Sequence, residues 1–342
     1  MKKFLLRFMS YDTAERLKTA LAWVYFFTGL AWLTGLARRR GAVVLMFHSV
    51  GDDRSFSDNR LPADRFEAVV AYLSRRWDIV PLSRIVDAVE RGEEPSPRWV
   101  ALAFDDGYAD NARVALPILK KYGAVASFFP TVGVLDGTAA DMPKRLFFDE
   151  IERVVLSASG SGRVPISGVA TEVDLSTPSA RTESAKRIIL EIRTWPPAPR
   201  DAVVADVSRR LQAPPAAGRI YLTWDDVKAM EAAGMEVGSH SMTHACLATL
   251  PRPQMIDEIT DSKKALDARL ARPAVGFAFP FGKRYAVPAN AAPDLSAAGY
   301  RYALTTDFGR ISAGADRFRL PRISVEDAPL VRLKVELSGI RL

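Results

Sequence analysis

From Ala42 onward the sequence predicts an α/β fold: a parallel sheet covered by helices, either doubly wound or closed into an incomplete (β/α) barrel. Short apolar runs alternate with amphipathic helical stretches, and several of those helices have a clear cap or a glycine stop. The polar residues best suited to chemistry also follow apolar runs, which gathers them at the carboxyl ends of strands.

The predicted strands, in order, are Val43–Phe47, Trp99–Phe104, Ala124–Phe129, Met235–Gly238, Val275–Phe279, Arg301–Leu304 and Arg322–Val325. Helical patterns fall between them at Asp64–Arg75, Leu82–Arg91, Asp110–Tyr122, Trp224–Ala233, Pro253–Leu270 and Ala289–Ala298. Thr223 is a natural N-cap for the helix that opens Trp224-Asp225-Asp226, and Gly123, Gly234 and Gly299 are natural stops. Residues 138–219 break the rhythm. Helical pieces (Leu146–Ser157, Ser179–Arg193, Asp201–Leu211) alternate there with loops such as Trp195-Pro196-Pro197 and Ala213-Pro214-Pro215. This stretch reads as a helical insertion on the barrel, a lid or a substrate-binding subdomain.

With 342 residues, 48% of them hydrophobic and 25% charged, the chain affords a sizeable core and wholesale disorder is excluded. The net charge of +7 comes without a basic stripe interleaved with aromatics, which argues against nucleic acid as a partner. An anionic lipid surface or an acidic glycan suits it better, and no obligate protein partner is readable. The single cysteine, Cys246, excludes an internal disulfide. Its place just after His244 allows either a third soft ligand or a small buried residue in a tight loop.

Residues 1–40 are an outlier. Thr19 to Ala37 carries no charge and includes Trp23, Tyr25, Phe26, Phe27, Trp32, Leu33 and Leu36. As helix this run would span roughly 28 Å, just enough for a bilayer core. Lys2, Lys3, Arg7, Arg16 and Lys18 precede it and Arg38-Arg39-Arg40 follow, with no cleavage site between. The expectation is a membrane-associated helix, spanning or lying in the interface, with a helix packed on the domain as the third reading. The arginine triplet beside the main domain tips the orientation towards the cytoplasmic face.

The three histidines carry the functional reading. His240 and His244 are four apart, a spacing that places both rings on one side of a turn, and His48 ends the run Val43–Phe47. Phe104-Asp105-Asp106-Gly107 puts two carboxylates at the end of another apolar run. One aspartate and two imidazoles fill three positions on a divalent ion and leave others open, as in a catalytic zinc-type site. Adjacent aspartates divide the labour, one as ligand and one as base for an activated water, which suits hydrolysis of an amide or ester.

These residues resemble the NodB-like polysaccharide deacetylases, carbohydrate esterase family four, whose first two motifs read (T/S)FDDG and H(S/T)xxH. The resemblance covers roughly Ala42 to Val325. It implies a distorted, incomplete barrel of the NodB type over residues 41–342, which removes acetyl groups from N-acetylated glycans or lipid-linked sugars. It also implies a divalent ion, Zn2+ first and Co2+ or Ni2+ as alternatives. Asp105 matches the family's catalytic base, Asp106 its metal-binding aspartate, and His240 and His244 its metal-binding histidines. Two motifs depart from the family. Ala278 stands where the third motif places an arginine that braces the base, and no histidine follows His244 to protonate the leaving amine. Arg322 is the candidate brace, with a barrel-closing salt bridge as its structural alternative. His48 is the candidate acid, because Phe47-His48-Ser49-Val50 is similar to a segment of a subgroup related to poly-N-acetylglucosamine deacetylases. Its alternative is a histidine satisfying a buried carbonyl. Phe281 and Trp224 are candidate walls for the acetyl methyl or a sugar face, or else core residues. Three competing functions stay open: O-acetyl ester hydrolysis or deformylation at the same site, a degenerate glycan-binding protein, and, least compatible with the four motif residues, a membrane scaffold.

Overall fold

The computed structural model describes residues 11–29, 40–51, 60–135, 145–214 and 218–342. All seven predicted apolar runs form parallel strands: β1 Val43–Phe47, β2 Trp99–Asp106, β3 Ser127–Pro130, β4 Glu236–Val237, β5 Gly276–Ala278, β6 Tyr302–Leu304 and β7 Ile323–Ser324. Continuous ladders run β7-β1-β2-β3-β4, while β5 and β6 form a separate pair. Single bridges, Ser239 to Phe277 and Leu304 to Leu320, join that pair to the rest. The circuit is therefore completed by bridges rather than ladders, which is the sense in which the barrel is distorted.

Alternation along the strands separates two cores. Val43, Leu45, Phe47, Val100, Leu102, Phe104, Phe128 and Ile323 face outward and share a cluster with Phe66, Val69 and Leu73 of helix Ala63–Arg76. Val44, Ala101, Ala103, Phe129, Ala278, Leu304 and Leu320 face inward. Helix Leu82–Glu90 adds Leu82, Ile85 and Val86 to the inner cluster. Its first turn is held by the Glu236 carboxylate, which accepts from Leu82 N at 3.0 Å and from Ser127 Oγ at 2.7 Å.

The outward face fixes the register. Phe47 pairs with Phe104, and Phe104 with Phe128. Their rings stack at 5.1 and 4.7 Å, and Phe66 lies edge-on to the first two at 5.3 and 5.6 Å. Burying each ring contributes about 1.5–3 kcal/mol. His48 and Asp105 follow one residue later, on the opposite face, so this ladder sets them beside one another at the barrel mouth. A one-residue slip would turn Asp105 into the outer layer.

Helix boundaries agree with the sequence reading to within a few residues, with one change of type. The predicted helix Asp110–Tyr122 starts as a π-helical turn, Asn111–Ala115, before the α-helix Leu116–Lys121. Pro117 has no N–H to give to the usual ladder, so the wider turn is accommodated there. The insertion builds its own core from Phe147, Ile151, Val154, Ile188, Ile192, Val203 and Val207. It also contains an antiparallel pair, Arg163–Pro165 with Glu172–Asp174, which the sequence reading omitted. The ends of the predicted 138–219 stretch, residues 138–144 and 215–217, lie outside the described residues.

At the amino terminus the helix is Tyr11–Phe27, and the second half of the apolar run, residues 30–37, lies outside the described residues, as do Lys2, Lys3, Arg7, Arg38 and Arg39. Among the described residues no helix is long and apolar enough to cross a membrane. Tyr11–Phe27 packs along helix Leu330–Leu337, with Ala22 buried against Val331 and Val335.

One buried cluster clamps the insertion to the barrel. The Asp149 carboxyl accepts from the hydroxyls of Tyr108, at 3.0 Å, and Tyr221, and Tyr221 accepts in turn from Leu146 N at 3.0 Å. Burial pushes the Asp149 carboxyl up to about 8; the Tyr221 and Tyr108 hydroxyls oppose this, and the charges of Asp106 and Glu152 add to it. The folded chain therefore keeps a proton that an unfolded aspartate, with a pKa of about 3.9, has lost at neutral pH. This contribution is complete below about pH 4 and is lost as pH rises through about 8, with a slope of at most ~1.4 kcal/mol per unit. Stability against urea is expected to fall from pH ~6 to pH ~8 more steeply in the native protein than in Asp149→Asn. Equal slopes would contradict the assignment.

Candidate metal and catalytic centre

Both aspartates sit where β2 ends, but the backbone turns between them. Asp105 keeps the inward direction of Ala101 and Ala103. Asp106 and Gly107 take left-handed conformations, φ 68° and 83°, which swing the chain out of the sheet. A Cβ at Gly107 would lie 2.7 Å from Pro130 Cβ, so the turn needs glycine. The five non-glycine residues with positive φ among those described are Asp106, Gln212, Ser241, His244 and Phe281, and all but Gln212 lie here. Such backbone costs of order 1–3 kcal/mol per residue and persists only where its surroundings hold it.

For the histidine pair, those surroundings are a loop. The sequence reading put His240 and His244 on one side of a helical turn; the structure corrects this. They lie on the irregular segment after β4, and the left-handed Ser241 and His244 bring the rings together at 4.8 Å. Glu258 of helix Arg252–Asp267 accepts from Met242 N at 2.9 Å, from Thr243 N at 2.8 Å and from the Thr243 hydroxyl. Ser241 and Met242 carbonyls receive Val132 N and Gly133 N at 3.1 and 2.8 Å, which ties the loop to the short helical turn Val132–Val134 after β3. A helix would satisfy its own backbone; here neighbouring elements do so.

The ring nitrogens are set up for an ion. His240 Nδ1 lies 2.7 Å from the Ala278 carbonyl, which can only accept, so Nδ1 carries the hydrogen and Nε2 is left as a lone pair. That Nε2 and His244 Nε2 each lie 3.3 Å from Asp106 Oδ1. The three ligand atoms lie within 4.8 Å of one another, and all three residues are buried. Asp106 Oδ1 has no hydrogen-bond partner. A buried carboxylate oxygen left so, facing two imidazole nitrogens, fits a divalent cation between them. Burial raises the Asp106 pKa, yet His240, His244 and His48 outweigh it and hold the carboxyl well below its usual range. Burial lowers His240, but Asp105 and Asp106 raise it above its ordinary value; for His244 burial wins and its pKa is lowered. Cys246 is buried outside this group, as the tight-loop reading expects.

Asp105 has a different partner. Arg322, fully buried one residue before β7, donates from Nη1 to Asp105 Oδ1 at 2.8 Å and from Nε to the Thr305 carbonyl at 2.8 Å. Burial alone would raise the Asp105 pKa; Arg322 and His240 reverse this and hold it below its ordinary value. Arg322 thus reaches Asp105 from a neighbouring part of the barrel, and Ala278 contributes its carbonyl to His240. His48 is half-buried, and its charge lowers both aspartates. Its carbonyl accepts from Asn111 Nδ2 at 2.8 Å, and the next residue, Ser49, bonds Asp110.

Phe281 stands 4.9 Å from the His244 ring and 6.4 Å from Phe147 of the insertion. Trp224 is placed elsewhere. Its ring is buried with Val227 and Met230 in the outer core, under the Arg269 guanidinium at 4.5 Å, as the core alternative expects. Two neighbours escaped the sequence reading. Phe148 lies edge-on to His244 at 5.1 Å, and the Asp149 clamp holds Tyr108, two residues beyond Asp106. The apolar Leu146-Phe147-Phe148 before Asp149 was the available signal, but nothing local says what it covers.

Residues 92–154 and 203–303 match the family model described as polysaccharide deacetylase, and the gap between them falls inside the insertion. YxkH of Bacillus subtilis strain 168, described as a polysaccharide deacetylase, is 34% identical over 87 residues, 25% of this chain and 30% of YxkH. Among solved structures, the Streptococcus pyogenes deacetylase PplD in complex with acetate has a TM-score of 0.58 at 18% identity, covering 86% of this chain and 98% of that one. IcaB from Ammonifex degensii has a TM-score of 0.56 at 17% identity, covering 89% of this chain and 99% of that one. At these identities the likeness is one of fold. With the family model matched on both sides of the insertion, over 164 of the 342 residues, this chain is similar to the polysaccharide deacetylases in both matched segments and in fold.

Proposed function

We propose that the chain is a metal-dependent N-deacetylase that removes acetyl groups from an amino sugar in a glycan or lipid-linked saccharide. The observation that carries this is the unequal pairing of two adjacent buried carboxylates, Asp105 on Arg322 and Asp106 on two imidazoles. When bound by Asp106, His240 and His244, a divalent ion, Zn2+ foremost and Co2+ or Ni2+ next, supplies Lewis acidity to the acetyl carbonyl and acidifies the attacking water. Asp105, kept ionised by Arg322 and His240, accepts a proton from that water as its oxygen bonds to the acetyl carbon. His48 gives a proton to the sugar nitrogen as the C–N bond breaks, so acetate and a free amine leave. Arg322 holds the base in line. Phe281 and Phe148 shield the far side of His244 and exclude water from it. The degenerate binding protein was motivated by a missing arginine and a missing terminal histidine, and the Arg322 contact to Asp105 speaks against the first of these.

Two substitutions test the roles. Asp105→Asn is expected to lower acetate release from acetylated glucosamine oligomers by ~10²–10⁴-fold while bound metal, measured by mass spectrometry, stays unchanged. Undiminished release would remove Asp105 as base. For His48→Gln a rate loss of similar order is expected, with metal affinity within a few-fold of the native protein. Loss of metal instead would make His48 a ligand.

A further inference from the structure

The helix Tyr11–Phe27 has two faces with opposite surroundings. Glu15, Lys18, Ala22 and Tyr25, spaced at three and four residues, lie against the domain. Ala22 is fully buried, Tyr25 packs in the same cluster as Ile340 and Leu342, and Arg332 ion-pairs with Glu15. The opposite face carries Leu17, Ala20, Trp23, Val24 and Phe27. Trp23 is 43% exposed, Val24 55% and Phe27 77%. Of the eight exposed large hydrophobic residues among those described, five (Leu17, Trp23, Val24, Phe26 and Phe27) are on this helix. Trp23 and Phe27 stack at 5.3 Å with Phe26 edge-on, so the rings are held together facing solvent. A patch of this kind marks a contact surface.

Charge narrows the occupant. Arg16 is exposed on the outer side, and Lys334 has its Nζ 5.4 Å from the Phe26 ring. Of the two acids on this helix, Asp12 and Glu15, Glu15 is turned inward and paired with Lys18 and Arg332. The chain carries +7 overall. A second copy would set cation against cation. Aromatic rings rimmed by cations complement a bilayer with anionic headgroups.

We propose that this face docks the protein on a membrane surface, with the helix parallel to the bilayer, Trp23, Val24 and Phe27 inserted at the headgroup boundary, and Arg16 and Lys334 against lipid phosphates. The docking is independent of the deacetylase chemistry, so a failure of one leaves the other standing.

Flotation of the full chain with vesicles tests it, using phosphatidylcholine alone and with about 30% phosphatidylglycerol. The native protein is expected to float with the anionic vesicles. Partitioning should fall at least ~10-fold for Trp23→Ser/Phe27→Ser and weaken as salt is raised. Acetate release from a soluble oligomer should be the same for both proteins. Equal flotation of the two, or none by either, would overturn the proposal. So would a native dimer in sedimentation that the double variant dissolves, since a second copy would then cover the face.

Discussion

Two negative charges buried side by side at the end of one strand are the constraint on which the rest of the site depends. Asp105 is 1% exposed and Asp106 4%. An uncompensated buried carboxylate costs several kcal/mol, and here there are two. The fold answers them separately. A fully buried guanidinium bonds the first at 2.8 Å. The second faces two imidazole nitrogens at 3.3 Å, one of them with its hydrogen committed to the Ala278 carbonyl, an arrangement that a cation completes. The proposed division into base and ligand rests on these surroundings, since the two side chains are chemically the same.

Holding that arrangement requires backbone of unusual shape. Left-handed residues cluster at Asp106, Ser241, His244 and Phe281, and the carbonyls of Asp106, Ser241 and Phe281 accept from Thr131 N, Val132 N and Thr306 Oγ1 outside their own loops. Glu258 accepts from two backbone N–H groups of the histidine loop, and the N–H groups of Val132 and Gly133 donate to its carbonyls. The insertion closes the other side through Phe148 on His244 and Asp149 on two tyrosines. The centre is thus preorganised by contacts between elements far apart in sequence, the condition for keeping charged groups in fixed directions away from water.

Much of the architecture was legible because it is written locally. All seven barrel strands are short apolar runs, and the inward or outward facing of each residue follows from alternation, which is how Asp105 and Arg322 came to share a mouth. The group Asp106, His240 and His244 was legible as residue types in strand context. Its geometry was not: a spacing of four suggested a helical turn, whereas the rings meet through a loop braced by Glu258, sixteen residues beyond Met242. Trp224 read equally as wall or core, and only packing under Arg269 separates the two. Phe148 and Asp149 were invisible because helical periodicity marks a face as apolar without naming its partner.

The proposal that Asp106, His240 and His244 together hold a divalent ion is tested by X-ray absorption on the zinc-loaded full chain. About one zinc per chain is expected, with two imidazole nitrogens and oxygen ligands at ~2.0–2.2 Å, reduced to a single imidazole in His244→Ala. A sulfur scatterer near ~2.3 Å, which would bring in Cys246, or an unchanged spectrum in His244→Ala would contradict the account.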